Sequence, residues 1–132
     1  MLRKLVAGSL AAAALVPALA QGAAQPRTTV ASATAGDLRA VLVAQKSSGG
    51  SAPTATVMLT AYERSNGHWR RIAGKRLAGT FFWHVVGAPR SLCRFELRTA
   101  GGKGLQPRVV VQLLLSPSLG CGAAQTVLLP AR

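Results

Sequence analysis

The chain has 132 residues, of which 16 are Lys or Arg and 3 are Asp or Glu, giving a formal net charge of +13. It contains no close pair of carboxylates, no nucleophile motif, no phosphate-binding loop and no His or Cys spacing suited to a metal. We therefore expect neither an enzyme nor a bound cofactor or metal. The positive charge favours a polyanionic partner, although a GC-rich genome also encodes an arginine-rich and alanine-rich composition.

Residues 1–20 have the three parts of a secretory signal peptide. Arg3 and Lys4 are positive, an apolar run follows over residues 5–16, and Ala18-Leu19-Ala20 suits cleavage after Ala20. The apolar run has 12 residues, whereas a membrane-spanning helix needs about 20. We therefore expect a secreted, extracellular protein with no transmembrane segment in its mature chain. That mature chain has 14 basic and 3 acidic residues, a net charge of +11.

The mature chain is expected to begin with a flexible leader and to continue as a single β-domain. Residues 21–36 are small and polar without an apolar period, which predicts the leader, and the domain covers residues 37–132. Apolar residues alternate from Leu38 to Gln45 and again from Thr54 to Arg64, a pattern that predicts the first two strands.

Asn66 and Gly67 predict a two-residue type I′ hairpin turn after the second strand. Such a turn fixes the register and places Arg64 opposite Trp69 and Ala61 opposite Ile72. One face of the hairpin then carries five cationic or aromatic side chains, which we name the basic aromatic face: Tyr62, Arg64, Trp69, Arg71 and Lys75. Trp69 and Ile72 cannot share a face without a bulge, so the sequence leaves open which face is buried at Trp69.

The remaining strands complete an all-β pattern. Residues 80–86 are apolar on both faces, which predicts a central strand. Cys93, Phe95 and Leu97 point inward from the next strand, and two further strands begin at Pro107 and Thr126. Seven strands favour an antiparallel immunoglobulin-like sandwich, with a small antiparallel barrel as the alternative.

The chain has two cysteines, Cys93 and Cys121. An exported protein meets an oxidising environment, so we expect a Cys93–Cys121 disulfide. The loop from Ser116 to Cys121 would be braced by this bond.

Two functions of different classes follow from these features. Aromatic rings interleaved with cations stack on sugars or bases while the charges hold anionic groups, so the leading hypothesis is a non-catalytic binding module. Its partner would be an anionic polymer or the cell-envelope surface rather than a specific nucleic acid. In the alternative, the braced loop inhibits a protease, a protein partner. A simpler interpretation of the basic aromatic face is that Tyr62 and Trp69 pack against arginine stems.

Three segments carry a resemblance to known sequences. The stretches GTFFW (79–83), SLCRFEL (91–97) and PRVVVQLLLSPSLGCG (107–122) resemble small secreted proteins of high-GC Gram-positive bacteria. This resemblance implies export, but it brings no activity and no site residues.

Overall fold

The structure, a computed structural model, describes residues 25–47, 53–99 and 106–130; the expected signal peptide and the first four residues of the expected leader lie outside these ranges. The elements in chain order are β1 Arg27–Ala35, β2 Leu38–Lys46, β3 Thr54–Ser65, β4 His68–Arg76, β5 Phe81–Phe82, α1 Trp83–Val86, β6 Leu92–Arg98, β7 Arg108–Ser116, β8 Gly120–Cys121 and β9 Gln125–Leu128. The expected all-β class is confirmed.

These strands form two antiparallel sheets. The first sheet runs in the order β1-β2-β3-β4, with β5 also pairing with β3, and the second has β6 on one side of β7 and both β8 and β9 on the other. The described residues therefore contain nine strands rather than the expected seven. Their consecutive order in the first sheet differs from the strand order of an immunoglobulin domain.

The expectation of a flexible leader is wrong for Arg27–Ala35. This segment is strand β1, which pairs with β2 from Arg27 opposite Gln45 to Ala35 opposite Leu38. Its threonines and valine suit an extended backbone, and Gly36 supplies the positive φ of +58° in the two-residue turn to β2. The domain therefore begins about ten residues earlier than expected.

The hairpin between β3 and β4 confirms the predicted turn but corrects part of its register. Asn66 and Gly67 have φ values of +52° and +78°, and Arg64 lies opposite Trp69. Beyond a bulge, however, Ala61 pairs with Ala73 instead of Ile72. Because β4 has one extra residue at the bulge, each later residue of this strand lies on the face opposite to the predicted one.

The core lies between the inner sides of the two sheets. The first sheet contributes alternate residues of β2 and β3, and the second contributes alternate residues of β7. The most deeply buried large side chains are Leu42, Val57, Leu59, Val109, Val111 and Leu129. Several core positions on the first sheet are alanines, namely Ala40, Ala44, Ala55 and Ala61. On the β3–β4 hairpin, the face that carries Val57, Leu59 and Ala61 is the inner one, and Trp69 lies on the outer one.

The central strand expected over residues 80–86 is wrong. The chain forms only the short β5 and then turns into α1, which buries Val85 and Val86. Because β4 pairs with β3 from Met58 to Ser65, β5 pairs only with the start of β3, at Thr54 and Ala55. An apolar run of this length fits a buried helical turn as well as a strand. No helix in the described ranges is long and apolar enough to cross a membrane.

The expected disulfide between Cys93 and Cys121 is confirmed, with 6.3 Å between the Cα atoms. It joins β6 to β8, which pair with opposite sides of β7. Cys93 is the extra residue of a bulge in β6 and is exposed, so its expected inward orientation is wrong. Phe95 and Leu97, in contrast, pack against the core as expected.

Gln125 connects the two sheets through its side-chain amide. Its Oε1 accepts a hydrogen bond from the Ala78 N–H at 2.9 Å, and its Nε2 donates to the Ala78 carbonyl at 2.8 Å. Beside this bridge a cavity of about 320 Å³ opens between the sheets, and its apolar walls include Leu77, Phe81 and Leu113.

Glu96 on the outer side of β6 is expected to titrate far below an ordinary carboxyl. Arg94 Nε and Arg98 Nη2 lie 3.0 and 2.8 Å from its oxygens, and these hydrogen bonds lower the pKa of Glu96 from 4.5 to about 2. Because the pKa is lowered in the folded state, the stabilisation is fully present above pH 4.5 and is lost as the pH falls through about 2.

Carboxyl-detected NMR across this pH range tests the prediction. The expected midpoint for Glu96 is about 2, and the variant Glu96→Gln should lose less stability than the native chain between pH 4.5 and 2. A midpoint near 4.5 would show that the three side chains do not interact in solution.

Candidate functional site

The outer side of the first sheet brings four of the five residues of the basic aromatic face together. Strand register places Arg71 opposite Tyr62 and Trp69 opposite Arg64, so these four side chains occupy two neighbouring rows. The predicted position of the fifth residue, Lys75, on this face is wrong. The bulge in β4 places it opposite Leu59, on the inner side of the sheet, although its own side chain is exposed at the edge.

A residue that sequence reasoning missed, Arg39, joins the four. It lies on β2 opposite Tyr62, and its guanidinium carbon is 4.4 Å from the centre of the Trp69 ring. Arg39 Nε also donates a hydrogen bond to Thr34 Oγ1 at 3.3 Å. Both supports are neutral, so they orient the guanidinium without neutralising its charge.

Arg64 is the second cation at the Trp69 ring. Its guanidinium carbon is 5.6 Å from the ring centre, and its Nη2 lies 3.5 Å from Asp37 Oδ1. The Arg64 backbone N–H donates to the Asp37 carbonyl at 2.8 Å. Asp37 therefore offsets part of the charge of Arg64, in a half-exposed ion pair.

The guanidinium of Arg71 lies over Gly74 on the same strand. A Cβ added at Gly74 would overlap the Arg71 guanidinium, so the absence of a side chain at position 74 leaves room for it. The bulge is what brings Gly74 to the outer side of the sheet, opposite Thr60.

We name these five side chains the arginine–tryptophan cluster: Arg39, Tyr62, Arg64, Trp69 and Arg71. The sequence left open whether Trp69 packs against arginine or faces a ligand, and the structure shows guanidinium groups over its ring. Packing does not prevent binding, because a guanidinium stacked on a ring keeps the N–H donors at its edge for carboxylate or phosphate oxygens. The cluster is therefore a set of oriented cations suited to anion recognition.

The loop of the inhibitor hypothesis is a tight turn. Residues 117–119 connect β7 to β8, Ser116 Oγ accepts a hydrogen bond from the Leu119 N–H at 3.0 Å, and Gly120 has a φ of +77°. Leu119 is 70% exposed at the tip. The segment is thus braced by the disulfide as expected, but it folds back on itself rather than running extended.

The described residues contain no group of three or more His, Cys, Asp or Glu side chains that could hold a metal ion. Both cysteines are consumed by the disulfide.

Compared with protein-family models, with curated proteins and with solved structures, the chain shows no match.

Proposed function

We propose that the chain is a secreted, non-catalytic binding module whose arginine–tryptophan cluster binds an anionic polymer or an anionic cell-envelope surface. The observation that carries this proposal is Arg39, a cation oriented by the Trp69 ring at 4.4 Å and by the Thr34 hydroxyl, both neutral groups. The disulfide is consistent with export, because such bonds persist in oxidising compartments.

Orientation before binding is the first advantage of this arrangement. A free arginine side chain loses rotamer entropy when it binds an anion, and this loss weakens the complex. Arg39 is already confined by Trp69 and the Thr34 hydroxyl, and Arg64 by Trp69 and Asp37. A ligand therefore meets donors whose positions change little on binding.

The distribution of charge is the second advantage of this arrangement. Arg39, Arg64 and Arg71 come from three neighbouring strands, which lie about 4.8 Å apart in a sheet. A single small anion does not reach across three strands, whereas a flexible chain with repeated anionic groups does. This geometry favours a polymer or a surface over an isolated anion.

Removing Arg39 or Arg71 is expected to weaken polyanion binding in a salt-dependent manner. Using inorganic polyphosphate as the probe, each of Arg39→Gln and Arg71→Gln should lower the affinity by about two- to fivefold at low salt. The slope of log affinity against log salt should become shallower by about one in each variant, because one phosphate contact is lost. Calorimetric titrations at several salt concentrations measure both quantities.

Lys75→Gln is the matched control for Arg71→Gln. Both residues carry the same charge on β4, but Lys75 lies on the other side of the bulge. Its affinity should stay within about twofold of the native value. The proposal fails if Lys75→Gln loses as much affinity as Arg39→Gln, or if binding is unchanged between about 50 and about 500 mM salt.

Protease inhibition is supported by one observation, the exposed Leu119 on a disulfide-braced turn. The turn is hydrogen-bonded to itself through Ser116, so Leu119 is not presented on an extended strand. Extended segments are the form in which a peptide adds to the edge of another protein's sheet. The cluster therefore has stronger support than the loop.

A further inference from the structure

A groove between α1 and β7 is lined by none of the residues of the arginine–tryptophan cluster. It has a volume of about 320 Å³ and opens between α1, the turn that follows it and β7. Its principal lining residues are His84, Val85, Pro89, Arg90, Leu114 and Pro117. Small-molecule sites in proteins have volumes of about 300–1,000 Å³, so the groove has the size of a small ligand site.

The groove is apolar at its floor and cationic at its rim. Val85 is 5% exposed and Leu114 is half-buried, and the rings of Pro89 and Pro117 form apolar walls. His84 and Arg90 are exposed and are the ionisable residues of the lining. The lining contains no carboxylate, so the charge at the rim has one sign.

Arg90 occupies a backbone conformation that few side chains adopt. Its φ is +68°, in the left-handed region that favours glycine. The turn is fixed against β7 because the carbonyl of the buried Ser91 accepts a hydrogen bond from the Leu114 N–H at 2.8 Å. Strained residues of this kind concentrate at functional sites, where the surrounding structure holds them in place.

We propose that this groove binds a small organic anion with an apolar tail, of the chemical class of a medium-chain carboxylate. The carboxylate lies at the rim, where Arg90 offers the forked donors that match its two oxygens. The tail lies across Val85 and Leu114, where it leaves water. The proposal is independent of the polyanion site, which is on the first sheet.

Calorimetric titration of the oxidised full chain with a ligand series tests this assignment. Octanoate should bind with one-to-one stoichiometry, and each methylene added between butanoate and octanoate should tighten binding by about twofold, because an open groove removes roughly half of each methylene from water. Octan-1-ol, which has the tail without the charge, should bind about tenfold more weakly than octanoate. An absence of saturable octanoate binding, or equal affinities for the acid and the alcohol, would overturn the proposal.

Two variants separate the groove from the rest of the surface. Arg90→Gly removes the cation and relieves the backbone strain, so it should fold at least as stably as the native chain and bind octanoate about tenfold more weakly. Arg71→Gln removes the same charge from the first sheet and should leave octanoate affinity unchanged.

Amide chemical shifts locate the ligand directly. Octanoate should shift the amides of Val85 and Leu114. If it instead shifts Leu77 and Phe81, in the cavity between the sheets, or if Arg90→Gly keeps the native affinity, the groove is not the binding site.

Discussion

Replacing Leu42 by alanine is expected to lower the free energy of unfolding by about 2–5 kcal/mol. Leu42 is 0% exposed and lies on β2 between Ala31 of β1 and Leu59 of β3. The substitution removes apolar surface from the core and leaves a cavity. The neighbouring core residues on the same strand are Ala40 and Ala44, and their methyl side chains are too short to fill the space.

Val41→Ala is the matched control, because it deletes apolar atoms one residue away on the outer side of the same sheet. Val41 is half-buried and lies opposite Thr60, so the expected loss is under about 1 kcal/mol. Urea unfolding followed by circular dichroism measures both values. Equal losses would mean that the two faces of β2 do not differ in burial and that the core does not lie between the sheets.

A loss of this size matters because small domains have total stabilities of about 5–15 kcal/mol. The alanine-rich inner side of the first sheet means that few large side chains, among them Leu42, Leu59 and Val57, carry most of its apolar burial. We therefore expect the stability of the domain to depend on a small number of positions and not to be spread evenly along the strands.

Local chemistry explains which parts of the fold could be predicted from the sequence. Asn66 and Gly67 adopt positive φ at low cost, so the turn and the adjacent pairs from Arg64–Trp69 to Tyr62–Arg71 follow from two residues. The pairing of Cys93 with Cys121 follows from there being two cysteines in the chain.

Other parts depend on long-range packing that the sequence does not display. Strand β1 is built from small residues, threonines and a single valine, so its alternation is weak, although Gly36 and Asp37 were a usable turn signal. The run over residues 80–86 is apolar apart from Thr80 and His84, and it carries no period that separates a strand from a helical turn. The space left beside β3 by β4 decides between them.

The candidate site was predicted in part for the same reasons. Tyr62, Arg64, Trp69 and Arg71 follow from the turn. Lys75 was misplaced because the sequence shows that Trp69 and Ile72 cannot share a face without a bulge, but it does not show that a bulge forms. Arg39 was missed because the connection from β2 to β3 is too long to fix their register as a two-residue turn does.

Removal of the disulfide is the second change with a large expected effect. The double variant Cys93→Ala with Cys121→Ala should lower the free energy of unfolding by about 3.5 kcal/mol, because the cysteines are 28 residues apart in sequence and opening this loop increases the entropy of the unfolded chain. Both cysteines are exposed, so their replacement by alanine leaves no buried cavity that would add to the loss.

Because both cysteines are exposed, the double variant measures the loss of the bond without a loss of core packing. Guanidinium unfolding should show the same loss for the double variant and for the native chain kept reduced, since both lack the same constraint on the unfolded state. Polyphosphate affinity should be unchanged in the folded double variant, because the bond joins β6 and β8 of the second sheet and the arginine–tryptophan cluster lies on the first. A loss below about 1 kcal/mol would show that the bond restricts the unfolded chain much less than a loop of this length predicts.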